Sequence, residues 1–167
     1  MLILSPPSRP ASTYFFTARL FGRNRTLLTD HIDLLRNAVK EVRATQPFAI
    51  DAWVVLPDHM HAVWNVPVDG TTCGQKWGAI KGTFTRGLRR AKVLSSTEMR
   101  AAKEVLGHAG VWQPGVQQMK LVSEAQRYAC ITYCWGNPVK HGIVSEPHDW
   151  PFSSIHRDQP RMAMAAE

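Results

Sequence analysis

Four side chains in this sequence have types and spacings suited to phosphate-ester chemistry. His59 and His61 sit one residue apart in the stretch WVVLPDHMHAVWNVP, Trp53 to Pro67. Apolar runs flank the pair and Pro57-Asp58 forms a turn. The stretch therefore reads as two adjacent buried strands, with His-x-His at the start of the second. Side chains alternate across a strand, so both imidazoles leave one face, close enough to hold one metal ion. Tyr133 and Asn137 are four apart in a helical stretch and share a face. Asn137 can give a carbonyl oxygen to a metal. Two imidazoles and one amide oxygen, with positions left open, suit Mg2+ or Mn2+. A tyrosine beside such a metal can attack a phosphodiester, and the covalent phosphotyrosine stores the bond energy for a later rejoining step. Tyr128 lies about 140° round the helix from Tyr133 and cannot share that face. Each residue also has a plain structural reading. The histidines could be hydrogen-bonded turn residues, Tyr133 a core tyrosine, and Asn137, before Pro138, a helix-ending turn residue.

These side chains need elements to position them. Residues 1–12, with Pro6, Pro7 and Pro10, read as a flexible arm. Residues 13–20, TYFFTARL, are β-branched and aromatic and predict a strand. Arg23 to Arg25 make a polar turn. A helical period follows Thr29 or Asp30 through Ile32, Leu34, Leu35, Ala38, Val39 and Val42. Phe48–Leu56 and His59–Val66 are the strand pair. Thr71 or Thr72 can cap a helix to about Arg90, with Trp77, Ile80, Phe84 and Leu88 at helical spacing. Residues 93–110 read as an insertion with a short helix from Thr97 to Leu106, and 116–122 as a fourth strand. Ser123 can cap the helix carrying Tyr133, which Pro138 should limit at about Asn137. Trp53, Trp64, Trp77 and Trp112 are core candidates. Residues 145–167 read as a tail extended over the surface. This order predicts an α+β domain over 13–144, a ferredoxin-like antiparallel sheet with helices packed on one face and the nucleophile helix near the C-terminus. The histidines then lie on an open face or under the helix that carries Tyr133.

Composition narrows the partners. The chain has 167 residues, enough for one domain with its own core. No apolar run is long enough to span a bilayer. The opening MLILSPPSRP is too short and Pro-rich for a signal peptide. The three cysteines lack paired metal spacing, and Cys130 and Cys134, four apart, read as reduced structural thiols. A cytoplasmic protein is expected. Twenty Lys and Arg against thirteen Asp and Glu give a net charge of +7, which favours polyanions through counterion release. Lys76, Lys81, Arg86, Arg89 and Arg90 share one predicted helix without acidic interleaving. They suggest a phosphate-tracking surface, although a solvated helix face has the same composition.

The ordered motifs resemble a known family. LPDHMH resembles the His-hydrophobic-His motif of the HUH endonucleases. YCWGNPVKHGIV, Tyr133 to Val144, resembles the tyrosine motif of one branch, the REP-associated tyrosine transposases. FFTARL, FAIDAWVVLPDHMHAVW, KGTFTRGL, GVWQ and DWPFSS extend the likeness over about residues 13–158. The resemblance implies a ferredoxin-like fold and divalent-metal-dependent cleavage of single-stranded DNA at short palindromic repeats. It makes His59, His61 and Asn137 the metal ligands for Mg2+ or Mn2+, and Tyr133 the nucleophile forming a 5′-phosphotyrosine. Hairpin DNA would lie on the basic surface, with Lys140, His141 and Trp150 near its foot. A monomer is expected, with a dimer as the alternative, at a nucleoid-associated location. One run departs from the family pattern. Where relatives carry Arg-Phe-Trp-Glu-His and then Ile-Arg, this chain has GVQQMKLV, Gly115 to Val122. The second reading is therefore a retired transposase that grips hairpins without cutting. A zinc hydrolase is a third, but no glutamate near the pair offers a general base.

Overall fold

The computed structural model describes residues 10–22, 25–106 and 110–160. In chain order its elements are β1 (Ala11–Arg19), α1 (Leu27–Asp30), α2 (Ile32–Thr45), β2 (Ala49–Val55), β3 (His59–Pro67), α3 (Cys73–Arg90), α4 (Ser96–Leu106), β4 (Gln117–Leu121), α5 (Glu124–Lys140), a 3-10 turn (Pro147–Asp149) and α6 (Ile155–Asp158). The strands form one sheet in the order β2-β3-β1-β4, with every neighbouring pair antiparallel. β1 and β2 are therefore parallel with β3 between them, the split βαβ of the ferredoxin-like plan. The first strand starts at Ala11, inside the expected arm, whose residues 1–9 lie outside the described residues, as do 23–24 of the expected polar turn. The first helical stretch starts earlier than Thr29 and breaks at His31 into α1 and α2.

Side-chain alternation builds two cores. Phe16 and Ala18 of β1 and Met60, Ala62, Trp64 and Val66 of β3 point to one face. There they meet Leu35, Ala38, Val39 and Val42 of α2 and Trp77, Ile80, Phe84 and Leu88 of α3. Trp64 is the centre, stacked 4.4 Å from Trp77 and 3.9 Å from Phe48. α3 starts as a capping box: the Thr72 hydroxyl accepts from the Gln75 N–H, and the Gln75 side chain accepts from the Thr72 N–H. The opposite face gathers Ala52, Val54, Leu56, Val63 and Leu121 beneath Ile131 and Cys134 of α5. The expectation of helices on one face is thus corrected. α2 and α3 cover one face, and α5 covers the other.

Two further expectations change. α5 runs past Pro138 to Lys140. Pro138 has no N–H to give, but the turn closes behind it. The His141 N–H donates to the Asn137 carbonyl at 3.0 Å and the Ile143 N–H to the Pro138 carbonyl at 3.0 Å. The helix stops at Gly142, whose φ of 67° is the left-handed conformation that glycine adopts without strain. The segment after it is not merely extended over the surface. It folds back along the outer edge of β2, where the Val55 N–H donates to the Phe152 carbonyl at 2.9 Å and the Ser154 N–H to the Trp53 carbonyl at 2.8 Å. Residues 161–167 of the expected tail lie outside the described residues. Among the described residues no helix is long and apolar enough to cross a membrane.

Candidate active site

The site lies between β3 and α5. His61 pairs with Thr17 on β1 and Val54 on β2, so its ring leaves the sheet on the α5 side. Register explains its first contact: the Thr17 hydroxyl, directly across, is 2.8 Å from His61 Nδ1. Phe15 stacks on the His61 ring at 5.5 Å, and Tyr133 of α5 meets it edge-on at 5.2 Å. His59, at the start of β3, holds the Asp58 carboxylate at Nδ1, 2.7 Å away. The two histidine rings are 5.1 Å apart. The helix and strand periods therefore bring His59, His61 and Tyr133 together as the sequence predicts.

Burial separates their duties. His59, His61 and Asn137 are 4%, 3% and 0% exposed, whereas Tyr133 is 39% exposed. Burial pushes both histidines below their ordinary range. For His61 the nearby Arg19 and Lys140 and the neighbouring imidazoles of His59 and His141 act in the same direction, and its pKa falls to about 3. Both rings are neutral near pH 7, the state in which a ring nitrogen can ligate a metal. His59 Nε2 and both amide atoms of Asn137 are buried without a hydrogen-bond partner. Orphaned polar atoms of this kind are costly unless a ligand completes them, and a hard cation accepts nitrogen and amide oxygen donors. Among the described residues no three His, Cys, Asp or Glu side chains group to hold a metal. Asn137 stands one helical turn from Tyr133 and one from His141, whose rings meet those of His61 and His59, so its amide is the candidate third donor beside the two imidazoles.

The expected DNA contacts divide. Lys76 is corrected. It is fully buried on α3, and its ammonium donates to Asp69 at 2.7 Å and to the Thr71 hydroxyl. These bonds hold the Asp69 carboxyl well below the usual range, so the pair anchors the loop ahead of α3 and meets no phosphate. Lys81 is half-buried and donates to the carbonyls of Gln113 and Gly115 while lying over the Trp112 ring, so it is no free cation. Arg86, Arg89 and Arg90 are exposed. Trp150 is half-buried and spends its indole N–H on the Val55 carbonyl at 2.8 Å, which seats it against β2. Lys140 lies over the Tyr133 ring at 4.8 Å and donates to its hydroxyl at 3.4 Å. His141, expected among DNA contacts, is exposed, with its ring 5.0 Å from that of His59.

Sequence reasoning missed Thr17, Asp58 and Phe15. The register of β1 against β3 could have found Thr17 and Phe15, and adjacency to His59 could have found Asp58. The altered run Gly115 to Val122 borders the site. Gln117 pairs with Thr17 and Met119 with Phe15, so both stand on the tyrosine's side of the sheet.

A ferredoxin-like sheet with a buried His-x-His pair under the helix that carries Tyr133 defines the class of protein. The comparisons make it particular. No protein-family model matches the chain. A REP-associated tyrosine transposase of Escherichia coli is 36% identical over 149 residues, covering 89% of this chain and 79% of the relative. A Haemophilus influenzae protein described by the same family name is 32% identical over 145 residues, covering 87% and 80%. Among solved structures, a REP-associated tyrosine transposase bound to a REP hairpin superposes with a TM-score of 0.73 at 30% identity, covering 99% of this chain and 94% of that one. The chain belongs to the REP-associated tyrosine transposases.

Proposed function

We propose that this protein is a metal-dependent endonuclease and strand transferase for single-stranded DNA carrying REP-type hairpins, working through Tyr133. The observation that carries the reading is the set of orphaned buried donors, His59 Nε2 and the Asn137 amide, beside a half-exposed tyrosine. His59, His61 and Asn137 would hold Mg2+ or Mn2+. Such a cation polarises the non-bridging phosphate oxygens and offsets the negative charge of the transition state.

The chain's own residues supply the rest. Tyr133 Oη attacks the phosphorus of the scissile phosphodiester. The bond from phosphorus to the 3′ oxygen breaks, and that oxygen leaves as a free hydroxyl after taking up a proton. The tyrosine proton is lost to solvent and one ester replaces another, so the 5′-phosphotyrosine can later pass to a new 3′-hydroxyl. The Lys140 ammonium, 3.4 Å from the phenol oxygen, offsets charge as that oxygen loses its proton. Phe15, 5.8 Å edge-on from the Tyr133 ring, limits where the ring can go. Exposed Arg86, Arg89 and Arg90 supply sequence-independent grip on phosphates. Tyr133 reaches His61 within one chain, which supports a monomer as the active unit.

The test is incubation with single-stranded REP DNA and Mn2+, then denaturing electrophoresis. A covalent protein–DNA adduct is expected from wild type and not from Tyr133→Phe. His61→Ala should abolish the adduct and keep most hairpin affinity. The second reading, a hairpin-binding protein that no longer cuts, draws on the altered run beside Thr17 and Phe15. Tight hairpin binding with no adduct from wild type would establish it over the first.

A further inference from the structure

The two histidines of the site are not held alike. His59 has a carboxylate behind it: Asp58 Oδ1 lies 2.7 Å from Nδ1, while Nε2 is buried and unpartnered. An ionised carboxylate only accepts hydrogen bonds, so the proton between them sits on Nδ1 and the lone pair on Nε2. His61 has a hydroxyl behind it instead, Thr17 Oγ1 at 2.8 Å. A hydroxyl can give or take, so it orients the ring without choosing the tautomer.

The backbone of Asp58 is fixed although its side chain is 47% exposed. Its carbonyl accepts the Leu20 N–H at 2.8 Å, and the preceding Pro57 carbonyl accepts the Leu28 N–H at 3.2 Å. The turn is thereby tied to the end of β1 and to α1. A turn-forming aspartate bonds the backbone N–H two residues on, as Asp69 Oδ1 does with the Thr71 N–H at 2.9 Å beside its ion pair with Lys76. The Asp58 carboxylate is given to the imidazole.

We propose that Asp58 is a positioning residue that presets His59 in the Nδ1–H tautomer with Nε2 free for a divalent cation, and that Thr17 only orients His61. The inference rests on the metal reading of the site. Carboxylate partners behind ligating histidines raise donor strength, and losing one weakens metal affinity about 10- to 100-fold.

Two measurements on the full chain test this. In metal-free protein, long-range 15N–1H spectra of the imidazoles should show His59 protonated at Nδ1 and bare at Nε2. Asp58→Asn, whose amide can give or take a hydrogen bond, should leave the tautomer mixed, and Asp58→Ala should release it. Mn2+ titration should give a dissociation constant raised about 10- to 100-fold in Asp58→Ala and less in Asp58→Asn. Hairpin affinity in EDTA should stay within about twofold of wild type. The proposal is overturned if wild-type His59 carries its proton on Nε2, if Asp58→Ala binds Mn2+ as tightly as wild type, or if hairpin affinity falls as far as Mn2+ affinity. Wild type that binds no Mn2+ would instead defeat the metal reading, and the ring spectrum would still decide the tautomer. Should Asp58→Ala fail to fold, the wild-type spectrum and the Asn variant decide.

Discussion

Asn137→Leu should make the metal-free protein more stable while disabling it. The wild-type amide is fully buried, and neither its oxygen nor its nitrogen has a partner. An unsatisfied buried polar group costs about 1–3 kcal/mol. Leucine removes both such groups, and its extra bulk in a packed site returns roughly 1 kcal/mol of strain. Taken at the low end, about 1 kcal/mol each, the two groups leave a net gain of about 1 kcal/mol in EDTA, seen as a rise in Tm of about 2–4 °C for a domain of this size. Mn2+ should reverse the order. At about a hundredfold excess over its dissociation constant, a ligand stabilises the protein that binds it by about 2.7 kcal/mol. Only wild type should gain this, so the two melting curves should cross over between EDTA and Mn2+. Differential scanning fluorimetry in the two buffers reads both effects. If Asn137→Leu is less stable than wild type in EDTA by more than about 1 kcal/mol, the amide is satisfied in the folded protein and the reasoning fails.

Acid should destabilise the protein through its histidines. The unfolded chain binds a proton near pH 6.5, whereas folded His61 does so only near 3, so its contribution is intact above about pH 6.5 and lost as the pH falls toward 3. Urea titrations should show about 1.4 kcal/mol less stability at about pH 5.5 than at pH 7.5 from His61, a difference that His61→Ala abolishes. Replacing Arg86, Arg89 and Arg90 together with serine should weaken hairpin binding and flatten its log–log salt dependence by about 2–3. An unchanged slope would place the DNA elsewhere. Trp64→Ala should cost about 3–5 kcal/mol in urea unfolding, because its ring packs 4.4 Å from Trp77 and 4.8 Å from Phe16.

What could be read from the residues was what depends on one element. The two-residue period of a strand places His59 and His61 together, and the helix period does so for Tyr133 and Asn137. The fold plan followed from element order. What depends on packing between elements was harder to see. Thr17 reaches His61 only through the register of β1 on β3, and His141 reaches His59 only because α5 continues through Pro138. Two signals were present and passed over. Lys76 lies on the same stripe as Ile80 and Phe84, at i, i+4 and i+8, so helix geometry turns it inward despite its charge. The near-continuous apolar runs of β2 and β3, in place of clean alternation, mark strands covered on both faces. That pattern calls for a helix on the second face, which α5 supplies.

The closing stitch along β2 orders the assembly of the site in time. Ser154 joins Trp53 across a hundred residues of chain, and its hydroxyl also takes the Trp135 indole N–H at 3.2 Å, binding the tyrosine helix to the sheet. Chains emerge from the ribosome N-terminus first, and contacts this far apart in sequence form late. The histidine strand can pair with β1 and β2 while the tyrosine is still being made, but the stitch over α5 waits until residues 150–155 are free. The two halves of the chemistry are thus born apart. A nascent chain stalled before Ser154 would carry His59 and His61 of β3 without a fastened Tyr133 helix, so the site would close only once residues 150–155 have emerged.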